Sequence, residues 1–218
     1  MKRWFIPRTT VREENRMLDR IALKKYTELM TTRFSEDPGV KFQMEDLDRA
    51  DFLLALQSEG QIEAFDKYHA VQFLDNGQGL LIGYSSKEIS ESLLIEIMQN
   101  SSLKLLEQVT EEELLFMQSR AMLESEIIPQ NWHCKYFDGE VYHLLVVAID
   151  ESLKGSGAFR KLLMPVLLSC EEKKIPIVLE TFNPDNVPIY EHFGFQLMES
   201  HRSDETDLTC FCMMRAEQ

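Results

Sequence analysis

The chain has few cysteines, no long apolar run and no signal-like N-terminus, and each shortage excludes a class of protein. Its 218 residues include four cysteines, which form no CxxC pair. The N-terminal segment MKRWFIPRTT lacks the apolar stretch and the small-residue cleavage site of a secretory signal peptide. No apolar run approaches the length that spans a bilayer. We therefore expect a reduced, cytoplasmic protein without a membrane partner.

Basic residues are also scarce relative to acidic ones. The chain has 23 Lys and Arg against 37 Asp and Glu, for a formal net charge of −14. Binding to a nucleic-acid backbone needs clustered Lys and Arg, so this balance argues against a nucleic-acid partner. It would attract a cationic or amine-bearing partner, although solubility explains it as well and is the preferred interpretation. With 44% hydrophobic residues, the chain can bury one sizeable core.

Two of the cysteines invite a metal-site hypothesis. Cys210 and Cys212 alternate in the segment LTCFCMM, so both side chains would lie on one face of a strand. With a distant histidine they could bind a metal. Buried core thiols are the favoured interpretation, and no metal is expected.

The first part of the chain predicts two helices. Residues 11–34 carry apolar residues at helical spacing opposite a charged face. The segment SEDPG would end this helix, because Pro38 disfavours helix at the preceding residue and Gly39 opens a turn. Residues 46–66 predict a second helix, interrupted near Gly60.

Residues 90–126 are also strongly helical in pattern. Thr110 and Glu113 fit a capping box, so one helix would end before Thr110 and a second would begin there. We predict a single α/β domain over residues 1–218, with this pair of helices forming an insertion at about 86–128.

Strands are predicted on both sides of that insertion. Before it, two short apolar segments flank an Asn-Gly turn dipeptide and predict a hairpin. After Pro129 the pattern alternates between strand and helix. The predicted elements are strands at 69–75 and 79–85, then a strand at about 141–149, a helix at 156–173, a strand at 177–182, a helix at 186–193, and strands at 195–199 and 208–214.

The segment from 142 to 163 is the most informative, because it orders a buried strand, a polar turn with two glycines and a helix. Such a turn leaves free N–H groups at a helix N-terminus, which suits a phosphate or diphosphate. A Walker loop is excluded because Ala158 and Phe159 follow Gly157, and GxGxxG is excluded because residue 160 is Arg. By itself, the turn would equally fit a tight connection that uses glycine for positive φ.

A second segment makes the pattern specific. Residues 176–195, PIVLETFNPDNVPIYEHFGF, place a strand, two asparagines, a tyrosine and a closing Gly-Phe after the glycine turn. Together the two segments resemble the GCN5-related N-acetyltransferase (GNAT) superfamily over about residues 141–200. The resemblance implies an α/β fold with a mixed, mostly antiparallel twisted sheet, flanked by helices and splayed at a central strand pair.

The resemblance also implies acetyl-coenzyme A as cosubstrate. The turn would bind the diphosphate, the preceding strand would pair with the pantetheine arm as an added strand does, and two asparagines would face that arm. Lys154 replaces a family Gln or Arg. Phe159 replaces a family Gly or Ala and would either turn inward, which is favoured, or crowd the diphosphate. The implied residues are Val147, Ala148, Ile149, Lys154, Gly155, Ser156, Gly157, Ala158, Phe159, Asn183 and Asn186.

Acetyl transfer to an amine needs an acid for the leaving thiolate and a donor for the oxyanion. The resemblance implies Tyr190 as the acid; the alternative is a core residue packing on Phe193 and Phe195. A backbone N–H near Ala148 or Ile149 would hold the oxyanion.

The general base is less well specified. Glu180 is a carboxylate in an apolar strand, which is either the base or a hydrogen-bonded structural residue. His143 is a further candidate, His192 would face another way, and a chain of water molecules could replace a dedicated base. Residues of the insertion could line an acceptor pocket, although helix core is the favoured interpretation for them; these are Met98, Phe116, Met117 and Met122.

Three functions remain open from the sequence. The first is transfer of an acetyl group to a primary amine of a small molecule, peptide or protein. The second is a non-catalytic acyl-coenzyme A sensor, and the third is the same fold acting on another acyl donor or a hydroxyl acceptor. The sequence leaves open whether the protein is a monomer or a homodimer.

Overall fold

The structure, a computed structural model, describes residues 18–216, over which helices flank one six-stranded sheet. The strands are β1 (Val71–Leu74), β2 (Gly79–Ser85), β3 (Tyr142–Ile149), β4 (Ile177–Thr181), β5 (Gln196–Arg202) and β6 (Thr209–Arg215). The helices are α1 (Arg20–Phe34), α2 (Pro38–Met44), α3 (Ala50–Asp66), α4 (Glu91–Leu106), α5 (Glu111–Ser125), α6 (Ala158–Lys173) and α7 (Asn186–His192). The strand order is β1-β2-β3-β4-β6-β5.

The sheet is mixed and mostly antiparallel, because only β3 and β4 run parallel among its neighbouring strands. The predicted fold class is therefore confirmed. Helices α1, α3 and α4 contribute to a core on one face of the sheet, and α6 and α7 contribute to a core on the other. None of the helices described between residues 18 and 216 has the length and apolar character needed to cross a bilayer.

Locally encoded elements agree with the sequence. The β1–β2 hairpin turns through Asn76 and Gly77, which both have the positive φ expected of that dipeptide. Thr110 and Glu113 form the predicted reciprocal capping box at the start of α5. The predicted helix at 11–34 corresponds to α1 from Arg20 onward, and its first residues, 11–17, lie outside the described part of the chain.

Two glycine predictions are wrong. Gly39 opens no turn but lies in α2, because Asp37 caps that helix by accepting a hydrogen bond from the Gly39 N–H (3.0 Å) and Pro38 occupies its first turn. Gly60 does not interrupt α3. A Cβ at Gly60 would approach the Ser101 carbonyl oxygen to 2.0 Å, so the glycine permits close packing of α3 on α4.

The feature that positions the site is the separation of β3 from β4. These parallel strands are in register only where Tyr142 pairs with Ile177 and His143 pairs with Val178. Directly beyond that point, β3 carries a bulge against β2, with Leu145 as the extra residue. A bulge bends and twists its strand locally. The predicted splayed strand pair is thus confirmed, and its two strands leave a gap in the middle of the sheet.

Candidate active site

A cavity of about 270 Å³ occupies this gap. Residues 144–147 of β3 form one wall, residues 179–182 of β4 and the following segment form the other, and α7 adds two side chains. The cavity continues to the opposite face of the sheet, where α1, α2, α3 and α5 line it. Four predicted site residues therefore meet in one cavity, namely Val147, Glu180, Asn186 and Tyr190.

The gap exposes backbone hydrogen-bonding groups of β3. The Asp150 N–H donates to the Gln78 carbonyl (3.0 Å), which continues the β2–β3 ladder. Hydrogen-bonded and non-hydrogen-bonded pairs alternate along an antiparallel ladder. The N–H of Ala148 therefore points to β2, whereas those of Val147 and Ile149 point to the gap. Of the predicted oxyanion donors, Ile149 has the required direction, and Val147 joins it as a residue that also lines the cavity.

The glycine turn follows β3 directly. Gly155 and Gly157 have φ values of 78° and 84°, and a Cβ on either would meet nothing within 4 Å. Within residues 18–216, the N–H groups of Gly155, Gly157 and Phe159 have no acceptor in the protein. A second cavity of about 320 Å³ is lined in part by Ser156, Gly157 and Ala158. The turn thus presents unpaired donors beside open space, which is the arrangement that binds a phosphate group.

The side chain of Phe159 points inward, the favoured orientation. Its ring lies 5.9 Å from that of Tyr190 and 5.3 Å from that of Phe193, both measured between ring centroids. These contacts place the ring in the core beneath α6. The side chain therefore does not cover the amides of the glycine turn.

The two asparagines have different positions. Asn186 lines the main cavity, and its side-chain amide donates to the Thr181 hydroxyl (2.9 Å). Asn183 turns back on its own loop, where its side-chain oxygen accepts a hydrogen bond from the Asp185 N–H (3.0 Å). Of the two asparagines, only Asn186 thus lies where it can contact a molecule in the gap, and its side-chain carbonyl oxygen and second amide hydrogen remain for that contact.

Tyr190 is both a core residue and a cavity residue. Its ring packs on Phe195 at a centroid distance of 5.4 Å, and its side chain is only 8% exposed. Burial raises the pKa of the hydroxyl well above its ordinary value, so it carries its proton at neutral pH. A hydroxyl in this state can donate to a thiolate but cannot serve as a base.

Glu180 lines the cavity from β4, and its carboxylate accepts a hydrogen bond from the indole N–H of Trp132. Burial raises the pKa of this carboxyl group. His143 stacks on Tyr84 at 4.9 Å, and burial with the neighbouring His133 lowers its pKa to about 4. His143 does not line the cavity, so of these two candidate bases only Glu180 faces it.

The raised pKa of Glu180 predicts a pH-dependent cost in stability. The pKa of Glu180 in the folded state exceeds its value of about 4.3 in the unfolded state. The free energy of unfolding therefore begins to fall as pH rises through the unfolded pKa, and it stops falling above the folded pKa. Glu180→Gln retains an oxygen for Trp132 but never ionises. In urea titrations from about pH 4 upward, the unfolding free energy of the parent protein should therefore fall relative to that of Glu180→Gln.

Glu113 is a control whose pKa is shifted in the opposite direction from that of Glu180. Its hydrogen bonds with Arg49 lower its pKa to about 2, so its charged form favours the folded state. Relative to Glu113→Gln, the parent protein should gain stability as pH rises from about 2 to the unfolded pKa of about 4.3, so these titrations start at about pH 2. A difference between parent and Glu180→Gln that stays constant with pH would show that Glu180 is not destabilised by burial.

The other candidate residues lie away from the cavity. Cys210 and Cys212 are buried, with their sulfurs 4.0 Å apart, as the core interpretation predicts. Among the residues the structure describes, no group of three or more His, Cys, Asp or Glu side chains is arranged to hold a metal ion.

The helix-core interpretation is wrong for Met98 and Met122, which are 45% and 64% exposed. The residue that α5 contributes to the cavity is Glu124.

Comparison with known proteins links this arrangement to acetyltransferases. No family model matches the chain. An uncharacterised N-acetyltransferase of Schizosaccharomyces pombe is 38% identical over 63 residues, which are 29% of this chain and 26% of that protein. The match thus spans about a quarter of the length of that relative.

Two solved structures share the fold over most of the chain. One is described as histone acetyltransferase HPA2 and related acetyltransferase from Corynebacterium glutamicum, with a TM-score of 0.57, 16% identity, and coverage of 92% of this chain and 94% of that one. The other is arylalkylamine N-acetyltransferase 2 from Aedes aegypti, with a TM-score of 0.56, 13% identity, and coverage of 89% and 95%. At these identities the likeness concerns the fold.

Proposed function

We propose that the chain is a member of the GCN5-related N-acetyltransferase superfamily and transfers an acetyl group from acetyl-coenzyme A to a primary amine; its fold and its local sequence match to an N-acetyltransferase support this. The observation that carries the proposal is the cavity between β3 and β4. It joins free backbone donors, a protonated phenol and a carboxylate, and the glycine turn follows the same strand. The cytoplasm is the proposed compartment, because of the cysteine usage.

The residues present fit the cosubstrate. The unpaired amides of Gly155, Gly157 and Phe159 would bind the diphosphate, and Lys154 would add a positive charge beside them. The gap-facing backbone of β3 would pair with the amide groups of the pantetheine arm, as an added strand does. The free carbonyl oxygen of Asn186 would accept a further hydrogen bond there. When bound, acetyl-coenzyme A supplies an acetyl group activated as a thioester.

Each residue then has a defined task. The N–H of Val147 or Ile149 would stabilise negative charge on the carbonyl oxygen. Glu180 would accept the proton that the amine loses as its C–N bond forms, either directly or through water. Its raised pKa brings it closer to neutrality, where a general base is most effective. Tyr190 would give its proton to the sulfur as the C–S bond breaks.

Calorimetric titration with acetyl-coenzyme A, coenzyme A and NADH tests the binding half of the proposal. We expect micromolar binding of the two coenzyme A species and none of NADH. Thiol release across a panel of primary amines tests the catalytic half. Binding without thiol release for any acceptor would favour the non-catalytic acyl-coenzyme A sensor, and absence of binding would contradict both functions.

A further inference from the structure

The side of the cavity that faces α1, α2, α3 and α5 is acidic. Asp37 from the start of α2, Glu124 from the end of α5 and Glu180 from β4 all line it. Among the residues described between 18 and 216, no Lys, Arg or His lines this cavity. A molecule that enters beyond Glu180 therefore meets carboxylates without a protein cation to balance them.

Asp37 and Glu124 border the same small space. A Cβ built on Gly39 would lie 3.0 Å from the Glu124 Oε1 atom and 3.3 Å from the Asp37 Oδ1 atom. Burial raises the pKa of both carboxyl groups, and the charge of Asp37 raises that of Glu124 further. Gln43 donates a hydrogen bond to Glu124. No cation among the described residues offsets this pair within the cavity, so a cationic ligand would relieve their repulsion.

A buried hydroxyl without a partner among the described residues is a second, independent feature of this cavity. Ser58 is 1% exposed, and its hydroxyl has no hydrogen-bond partner within the described chain. It lies on the stripe of α3 that faces the cavity, between Leu54 and Gln61, which also line it. A buried hydroxyl without a partner is destabilising. A polar group of a bound molecule would supply that partner.

We propose that the acceptor amine carries a second cationic group, which binds between Asp37 and Glu124 while the reacting amine lies beside Glu180. This inference rests on the proposed function and names its substrate class. The Phe182 ring lies against Gly39, next to the acidic pair, and Phe182 follows Glu180 by two residues in the sequence. Because Asp37, Glu124 and Glu180 all line one cavity, a short flexible chain between the two cations would let each of them reach a carboxylate.

Three acceptors of equal length test the proposal. These are 1,5-diaminopentane, pentylamine and 5-aminopentanoate, whose far ends are cationic, neutral and anionic. We expect kcat/KM for the diamine to exceed that for pentylamine by about tenfold or more, with the anionic acceptor poorest. Equal values for the diamine and pentylamine would overturn this inference and leave the proposed function intact. Absence of thiol release with these and all other amines would instead defeat the proposed function.

Variants that remove one charge each test whether the preference for the diamine depends on Asp37 and Glu124. Glu124→Gln and Asp37→Asn remove one charge each, and asparagine still caps α2. Each should reduce the preference for the diamine over pentylamine by about tenfold, with an unchanged affinity for acetyl-coenzyme A. Glu112→Gln, an exposed change on the same helix as Glu124, should keep the preference. If both cavity variants keep it as well, the acidic pair does not bind the acceptor.

Discussion

Tyr190→Phe should lower kcat by a factor of about 10² to 10⁴, the usual contribution of a positioned general acid. The change removes only the hydroxyl, so the ring keeps its contacts with Phe159 and Phe195. Burial is the cause of the raised pKa, with no hydrogen bond contributing among the described residues. Removal of the hydroxyl should therefore leave the unfolding free energy nearly unchanged. KM for acetyl-coenzyme A should stay within about twofold, because the proton is needed only as the thiolate leaves.

Tyr142→Phe is the matched control. Tyr142 is another tyrosine whose burial raises the pKa of its hydroxyl, but it lines a separate cavity beside α6 rather than the gap. Its loss should leave kcat unchanged. Retention of full turnover in Tyr190→Phe would remove Tyr190 from the chemistry and assign protonation of the thiolate to water. Loss of turnover in both variants would indicate that removing either buried hydroxyl perturbs the packing around the sheet, and not that Tyr190 takes part in the chemistry.

Gly157→Ala should weaken acetyl-coenzyme A binding by roughly tenfold to a hundredfold. Its Cβ would project into open space beside the unpaired amides, where the diphosphate is proposed to bind. Displacing the diphosphate from one of these donors costs one charge-assisted hydrogen bond, which is worth about 1.5–3 kcal/mol. The φ of 84° also strains alanine, at about 1–2 kcal/mol of stability. Calorimetric titration and chemical denaturation measure the two effects separately.

Gly194→Ala is the control that separates the effect of backbone strain on stability from an effect on the affinity for acetyl-coenzyme A. Its φ of 86° nearly equals that of Gly157, and its Cβ would meet only the Arg215 side chain, at 3.4 Å. It should show a similar loss of stability with unchanged affinity for acetyl-coenzyme A. If both variants bind acetyl-coenzyme A as the parent does, the glycine turn does not bind the diphosphate.

The sequence predicts well where short-range chemistry decides the conformation. The β1–β2 hairpin follows from its Asn-Gly turn, and the capping box at Thr110 marks the start of α5. The prediction at Gly60 fails because the decisive contact is distant in sequence. Gly60 permits close contact with α4 at Ser101, and local context cannot distinguish this from a helix break. Asp37 followed by proline is itself a helix-start signature, so α2 could have been predicted.

The candidate site divides in the same way. Its cofactor side lies in a continuous strand, turn and helix, and a pattern of adjacent residues reveals it. Its proposed acceptor side brings together Asp37, Ser58 and Glu124 from three helices, and their meeting depends on how those helices pack on the sheet. The partner of Glu180 is similarly remote, because Trp132 donates to it across 48 positions of the chain. The position of Glu180 within an apolar strand indicates that its carboxylate needs a hydrogen-bond partner. The sequence does not identify Trp132 as that partner.

The separation of β3 from β4 also divides the molecule. Strands β1, β2 and β3 precede residue 150 in the sequence, and β4, β5 and β6 follow residue 176, so each half of the sheet is one continuous piece of chain. Only two residue pairs join the halves edge to edge, and side-chain cores join them on both faces, one beneath α6 and the other around Trp132 and Val178. A molecule bound along the gap would contact both halves and add the hydrogen bonds that they do not make to each other. Occupation of the gap should therefore stabilise the sheet across β3 and β4, where the protein alone leaves their edges unpaired.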